Sequence, residues 1–235
     1  MARPGLRRLL WPSAFTAVTL AALLALGTWQ LHRREWKTAL LADIDRGEAA
    51  PAVPLPPDPR PFTKVFADGV LREDLSALYG SELRSTAAGP ILGAHLLTPL
   101  ERHDADPVIV DRGWVPADRP RPTAPAAGPV RVEGYVRAPE PPVLFTADDP
   151  VARRFFALDP AAIGASLGLP RTAPFTLVAL GAVSPGTVPV PARELPRPTN
   201  NHLMYAFTWY GLAGTLLAVF AAYCRTVLRR ETPPA

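Results

Sequence analysis

The order of hydrophobic and polar positions divides the chain into two long apolar runs and a mixed region between them. Leu9–Leu31 contains no charged residue, and neither does Leu203–Cys224. A helix rises about 1.5 Å per residue, so each run is long enough to cross a hydrocarbon core about 30 Å thick. The pattern predicts two transmembrane helices, residues 9–31 and residues 200–224, the second beginning with a polar interfacial motif.

The first helix is predicted to continue beyond the bilayer. Trp29, Arg33 and Trp36 recur at helical spacing across the end of the apolar run. Residues 32–50 are therefore predicted to be a helical extension, with an end signal at Arg46-Gly47.

Small side chains recur along both apolar runs, which allows helix backbones to approach each other closely. They are Ala14, Ala17, Ala21, Ala25 and Thr28 in the first run and Gly211, Gly214 and Ala218 in the second. The pattern predicts that the two spans pack on each other through these positions. An alanine-rich sequence also produces such spacings without any packing, so both interpretations stay open.

Between the spans, proline-dense connectors alternate with short apolar runs. The connectors are Pro51–Pro61, Pro116–Pro129, Pro139–Pro150 and Pro185–Pro198. Proline lacks a backbone N–H, so these segments are excluded from helices and central strands. The runs with strand character are Thr63–Leu71, Ile91–Thr98, Pro107–Trp114, Val130–Arg137, Ala152–Leu158 and Ala173–Val183.

Short strand-like runs separated by turn residues are typical of a compact antiparallel β domain. Residues 51–199 are therefore predicted to form one β-rich domain, barrel- or sandwich-like, with short helices at Asp74–Ser81 and Pro160–Leu167. The predicted fold class is two transmembrane helices that flank this extracytoplasmic domain.

Charge is distributed unevenly along the chain. The 25 Lys and Arg residues exceed the 21 Asp and Glu residues by a net +4. The excess comes from arginines before the first apolar run and after the second, which are Arg3, Arg7, Arg8, Arg225, Arg229 and Arg230. A nucleic-acid-binding surface is therefore not predicted. Because basic flanks stay in the cytoplasm, residues 1–8 and 225–235 are predicted to be cytoplasmic and the middle domain to be translocated. A signal peptide with cleavage near Ala25-Leu26-Gly27 is the alternative, which the length of the run disfavours.

Familiar catalytic and metal-binding motifs are missing from the sequence. The single cysteine, Cys224, forms neither an intrachain disulfide nor a CxxC pair, which excludes thiol-based copper or redox chemistry. The sequence has no phosphate-binding glycine loop, GxSxG elbow or HExxH helix. His103–Asp106 is interpreted as a solvated turn, and Asp111-Arg112 as a local ion pair that anchors the turn after a strand. No catalytic residue is assigned, and an enzyme is not predicted.

The outer ends of the two spans carry the remaining candidate chemistry. His32 directly follows the first run and His202 directly precedes the second, so both imidazoles are predicted at one depth. Basic and aromatic side chains surround that depth: Arg33, Arg34, Lys37, Trp29, Trp36, Tyr205 and Trp209. A neutral imidazole can ligate haem iron, basic groups can pair with propionates, and aromatic rings can flank a porphyrin. A solvated interface with an aromatic belt explains the same residues and is the commoner arrangement.

Five motifs in order resemble the surfeit locus protein 1 family of cytochrome c oxidase assembly factors. They are GTWQLHRREWK at Gly27–Lys37, GPILGAHLLTPL at Gly89–Leu100, VIVDRGWVP at Val108–Pro116, VRVEGYVRAPE at Val130–Glu140 and NNHLMYAFTWYGLA at Asn200–Ala213. The resemblance extends over nearly the whole length of the chain, with the motifs in order from the first span to the second.

The resemblance implies a function in building the haem a-containing catalytic subunit of a haem-copper oxidase. It implies a transiently bound haem a, with His202 as the ligand of the haem iron. The other implied cofactor-binding residues are Trp209, Tyr205, Trp29, Gln30, Arg33 and Lys37. His32 does not belong to the family pattern. A scaffold that docks oxidase subunits without binding haem is the alternative function.

The resemblance also implies partners and a location. The partners are the oxidase catalytic subunit and the lipid bilayer, with haem A synthase as a further candidate. The very short N-terminus and the Ala/Pro/Arg-rich composition indicate a bacterial inner membrane, with the central domain in the periplasm. The mitochondrial inner membrane is the alternative location.

Overall fold

The structure, a computed structural model, describes residues 4–86, 89–118, 128–141, 146–182 and 186–229. The predicted cytoplasmic ends lie partly outside these ranges, as do parts of three proline-rich connectors and the predicted strand end at Val183. The chain divides into two compact units, Met1–Ala42 with Arg197–Ala235, and Asp43–Pro196. The first unit is helical and the second is built on a β-sheet.

The secondary-structure elements follow one another as two long helices around a run of strands. In chain order they are α1 (Pro4–Ala49), β1 (Val53–Pro54), β2 (Lys64–Leu71), a 3₁₀ turn (Glu73–Leu75), β3 (Ala77–Thr86), β4 (Gly89–Arg102), β5 (Ala105–Pro116), β6 (Val130–Arg137), β7 (Arg154–Phe155), α2 (Pro160–Ser166), β8 (Thr176–Ala179) and α3 (His202–Arg229).

The two long helices, α1 and α3, contain the two apolar runs. Each is long and apolar enough to cross a membrane by length and composition. Only 6 % of the most apolar stretch of each helix is buried, whereas a core helix of a soluble protein is mostly buried. Helices that expose apolar side chains in this way are typical of a lipid environment. α1 continues without a break through the predicted extension and ends at Ala49.

The β-sheet closes on itself to form a small barrel. The strand order is β1-β2-β6-β8-β5-β4-β3-β7, and β2 also pairs with β4. That extra pairing joins Val70 to Glu101 and Leu71 to Leu100. It closes β2, β6, β8, β5 and β4 into a ring, which leaves β3 beside β4 as an extension. The predicted fold class is confirmed in its barrel form.

The sheet is mixed rather than purely antiparallel. β1–β2, β3–β7 and β5–β8 are parallel, and the other described pairs are antiparallel. Parallel pairing of β5 with β8 follows from the long crossover between them, which contains α2. Two-residue strands β1 and β7 cover the outer edges.

β5 is buried on both faces, which explains why its apolar run is continuous. Val108 and Val110 point into the barrel core with Leu100 and Leu177, and all four are fully buried. Ile109 points to the opposite face, where it packs in a second cluster that includes residues of α2. A strand buried on both faces needs apolar residues at successive positions, not at alternate ones.

Most strands lie where the apolar runs predict them. β6 has the predicted bounds, Val130–Arg137, and β2 begins one residue later than predicted, at Lys64. β7 occupies only Arg154–Phe155 of the predicted Ala152–Leu158. Asp159 caps α2 by accepting hydrogen bonds from the N–H groups of the first turn, which explains why this predicted helix forms.

β3 is the longer of two strands that the sequence did not predict, the other being β1, and the predicted helix at Asp74–Ser81 is wrong. Only Glu73–Leu75 is helical, as one 3₁₀ turn, and Ser76 is already extended with φ −65° and ψ 147°. β3 then pairs with β4 along its length. Pairing with the next strand therefore overrides the weak local helical pattern.

Candidate functional site

The helical unit brings His202 into contact with Gln30, a residue far from it in sequence. His202 Nδ1 lies 2.7 Å from Gln30 Oε1. Gln30 is a buried polar residue, 9 % exposed, and His202 is half-buried. Because an amide oxygen only accepts hydrogen bonds, the contact favours a proton on Nδ1, and in the neutral ring the lone pair is then on Nε2. This is the tautomer that a metal-ligating histidine uses when its second nitrogen is held by a neighbouring acceptor.

One face of α3 packs in the helical unit, and it includes one of the two candidate aromatic residues. Ala206 and Ala213 are buried, and Trp209 between them is half-buried, so the face continues from His202 at helical spacing. Tyr205 is 55 % exposed and therefore lies off this face. Of the two candidate aromatic residues of α3, Trp209 shares the packed face with His202 and Tyr205 does not.

The two long helices approach closely at Gly27, which is not among the predicted small residues, and at Thr28, which is. A Cβ atom at Gly27 would lie 2.7 Å from the Tyr210 ring, so only glycine fits there without a shift. The Tyr210 hydroxyl lies 3.1 Å from Thr28 Oγ1. Gly211 and Gly214 have open space around them, and the predicted alanines of α1 are exposed, so packing through those positions is wrong.

Basic and aromatic side chains lie one to two turns beyond Gln30 on α1. The Arg33 guanidinium lies 4.4 Å from the centre of the Trp36 ring, and Lys37 Nζ lies 5.6 Å from it. Within the described part of the chain, neither Arg33 nor Lys37 forms an ion pair with a carboxylate. Trp29 is 53 % exposed and takes no part in this cluster. The two cations are thus available to an anionic group.

Asn200, just before α3, holds a polar atom without a partner. Its Nδ2 donates to Thr38 Oγ1 at 3.3 Å, while its Oδ1 is buried and accepts no hydrogen bond from the described residues. A buried acceptor without a donor is costly and suits a position beside a ligand with a hydroxyl or N–H group. Sequence reasoning did not single out Asn200, Gly27 or Tyr210, although all three lie in the quoted motifs.

The structure does not bring His32 to this site, because its side chain is exposed on α1. The described residues also contain no group of three or more His, Cys, Asp or Glu side chains that could hold a metal ion. The His202 imidazole, with Gln30 beside its Nδ1, is a candidate metal-ligating group of the helical unit. Haem, which needs only one or two axial protein ligands, fits such a donor set.

Two polar sites were predicted in the β unit, and the structure agrees with one of them and contradicts the other. His103 and Asp104 are both almost fully exposed, as predicted for a solvated turn. Asp111 and Arg112 do not pair with each other. Asp111 contacts His95 and accepts the Gly113 N–H, whereas Arg112 pairs with Glu73. The interpretation as a local ion pair is wrong because neighbouring strand residues point to opposite faces.

Comparisons with known proteins show similarity to one family over most of the chain. The model of the SURF1 family matches residues 17–214. A SURF1-like protein of Rickettsia bellii is 28% identical over 221 residues, covering 91% of this chain and 90% of its own. Surfeit locus protein 1 of Mus musculus is 30% identical over 244 residues, covering 90% of this chain and 75% of its own. A SURF1-like protein of Monosiga brevicollis is 29% identical, covering 83% of this chain and 80% of its own.

The family model extends from within α1 to within α3 and therefore includes Gln30, His202 and the whole barrel. A match of this extent leaves neither the helical unit nor the β unit outside the similarity. The chain belongs to the SURF1 family.

Proposed function

We propose that this protein is a non-catalytic assembly factor that holds haem a during maturation of a haem-copper cytochrome c oxidase. The observation that carries the proposal is the 2.7 Å contact between His202 Nδ1 and Gln30 Oε1. It leaves Nε2 of a half-buried imidazole free to bind iron. The resemblance of five ordered motifs to a family of oxidase assembly factors supplies the choice of haem a and of the oxidase.

Three groups of residues in the helical unit would hold the haem. His202 would ligate the iron through Nε2, Arg33 and Lys37 would pair with the propionates, and Trp209 would offer an aromatic surface. When bound, the haem supplies an iron centre that the oxidase uses after transfer. Gln30 keeps the proton on Nδ1, and the Gly27–Tyr210 contact keeps α1 and α3 close enough for that hydrogen bond.

The partners in this proposal are the catalytic subunit of the oxidase, haem A synthase as a source of haem, and the bilayer. The alternative is a scaffold that docks oxidase subunits without binding haem. Exposed Leu83 and Leu92, which face each other across β3 and β4, favour a protein contact on the β unit. Whether the purified protein carries haem separates the two functions.

We further propose that α1 and α3 span the bacterial inner membrane, with both termini in the cytoplasm and residues 47–198 in the periplasm. The arginines before the first apolar run and after the second support this topology. Reporter fusions at Gly47 and after Ala235 are expected to report opposite sides of the membrane. Reports from the same side would rule this topology out.

Oxidase assembly tests the function itself. In a strain that lacks this protein, membranes are expected to lose most of the oxidase haem a absorbance, because the catalytic subunit is not completed. The full chain should restore it, and a matched chromosomal control without the deletion sets the reference. Normal oxidase absorbance in the deletion strain would contradict both the haem-holding function and the scaffold function.

A further inference from the structure

Three ionisable side chains on adjacent strands of the β unit form a continuous chain of contacts. His95 of β4 lies between Asp111 of β5 and Glu82 of β3. Its Nδ1 is 2.9 Å from both carboxylate oxygens of Asp111, and its Nε2 is 3.3 Å from Glu82 Oε2. The Asp111 side chain is only 1% exposed, compared with 28% for His95 and 41% for Glu82.

Asp111 fixes one of the two protons of the imidazole. Its Oδ1 also accepts the Gly113 N–H at 2.9 Å, and Gly113 adopts φ 109°, a conformation that favours glycine. A buried carboxylate needs donors, so Asp111 requires that His95 Nδ1 carry a proton in every titration state. The proton that His95 can lose is therefore the one on Nε2.

The contact with Glu82 depends on this second proton. A charged imidazole has two N–H groups and can donate to both carboxylates, whereas a neutral imidazole has only one. After deprotonation, the Nε2 lone pair faces a carboxylate oxygen at 3.3 Å, which is repulsive. Glu82 then retains its ion pair with Arg84, whose Nε lies 2.7 Å from Glu82 Oε1.

We propose that His95 is a proton-dependent latch that ties the outer half of β3, Glu82–Thr86, to the barrel. The latch is closed while the imidazole carries both protons and opens when Nε2 loses its proton. It does not depend on the proposed haem function, since every residue in it belongs to the β unit.

The backbone next to His95 explains why a side-chain latch is needed there. The β3–β4 ladder is irregular between Tyr79 and Glu82, and the β4–β5 ladder is irregular between His95 and Leu97. Outer β3 is otherwise tied to β5 by Trp114, whose Nε1–H donates to Glu82 O at 3.2 Å. Glu82–Thr86 itself pairs with Gly89–Gly93 of β4, so the latch supplements that pairing at the end that lies next to the interruption.

Among the described residues, the charged and titratable groups around His95 include no cation other than His95 that pairs with Asp111. The groups that face His95 or its partners are Tyr79, Glu82 and Arg84 from β3, Asp111 from β5, Tyr135 and Arg137 from β6, and Glu140 after β6. Arg84 pairs with Glu82 and Arg137 pairs with Glu140. The charge of His95 is thus the one that balances the buried carboxylate.

The pKa of His95 is consistent with the latch. Burial lowers the pKa of His95, but hydrogen bonds and charges from Asp111 and Glu82 outweigh burial and hold it above its ordinary value. The folded protein therefore binds this proton more tightly than the unfolded chain does. The contribution of the latch is complete below about pH 6.5 and is lost as the pH rises through the raised pKa. The pKa of Glu82 is lowered, mainly by Arg84, so acid opens the latch only well below neutral pH.

Hydrogen exchange of the full chain in detergent micelles tests the latch. Between about pH 6 and about pH 8.5, protection of Glu82–Thr86, corrected for intrinsic exchange, is expected to fall by about tenfold. Protection of Val108–Val110 in the barrel core should stay constant and serves as the internal reference. In parallel, imidazole NMR should show His95 titrating above the ordinary histidine value of about 6.5, with His95→Gln identifying the His95 signal.

Glu82→Gln is the matched control. A glutamine amide can accept from Nε2–H or donate to its lone pair, so the variant should keep outer β3 protected at both pH values. Equal protection of wild-type Glu82–Thr86 at both pH values would overturn the latch. So would a His95 whose pKa lies at or below the ordinary histidine value of about 6.5.

Discussion

Replacing His202 with alanine is expected to leave both long helices folded while the purified protein loses or shifts its haem a absorbance. The variant removes the directional bond to iron but leaves the apolar surfaces that bury a porphyrin. Haem affinity should therefore fall more than the roughly 10- to 100-fold that loss of a supporting partner costs. The measurement is the optical spectrum of protein purified from cells that make haem A, with circular dichroism as the check on folding.

Two further variants show whether the effect belongs to this imidazole. His32→Ala removes an exposed histidine from the same unit and should leave the spectrum unchanged. Gln30→Leu removes only the acceptor for Nδ1, so haem affinity should fall by about tenfold, with a shift in the ligand-sensitive bands. If His32→Ala loses haem and His202→Ala keeps it, the ligand assignment is wrong.

Replacing Asp111 with alanine is expected to destabilise the β unit by about 3–5 kcal/mol, as measured when one partner of a buried ion pair is removed. The change leaves the half-buried His95 charge without its main partner and the Gly113 N–H without its acceptor. Pulse proteolysis of the full chain in detergent micelles across a urea series measures the loss.

Arg112→Ala is the matched comparison because it alters the next residue of the same strand. Both partners of the Arg112–Glu73 pair keep about a quarter of their side chains exposed, whereas Asp111 is 1% exposed, so Arg112→Ala should destabilise the β unit less than Asp111→Ala does. This comparison separates the anchoring effect of Asp111 from any general sensitivity of β5. Equal losses for the two variants, or a loss below about 1 kcal/mol for Asp111→Ala, would show that the buried pair is not an anchor.

Local patterns were sufficient for the parts of the fold that depend on local chemistry. The charge-free runs predict α1 and α3, and the apolar run Val130–Arg137 predicts β6 with its observed bounds. β3 escaped prediction because its first half falls in the predicted helix Asp74–Ser81, and because its pairing with β4 determines its conformation. Barrel closure through β2 and β4 is likewise a contact between strands that are distant in sequence.

In the candidate site, too, the sequence indicates individual residues, whereas the contacts between them depend on the fold. The motif resemblance implies His202 and Gln30 as cofactor-binding residues, but their contact spans 172 positions and needs the helix pair to form. Tyr205 was chosen by helical spacing one residue away from the buried position, Ala206. His95, Asp111 and Glu82 meet only through strand register and two irregularities in the ladder, which sequence spacing does not reveal.

The optical spectrum of the wild-type protein, purified from cells that make haem A, tests the haem-holding function most directly. The expected result is a haem a spectrum with close to equimolar pigment on extraction, and with bands that the His202→Ala variant loses or shifts. The contradictory result is wild-type protein that carries no haem a, while oxidase assembly in the same cells still depends on it. In that case the protein is a scaffold, and the imidazole of His202 is a structural partner of Gln30 in the helical unit.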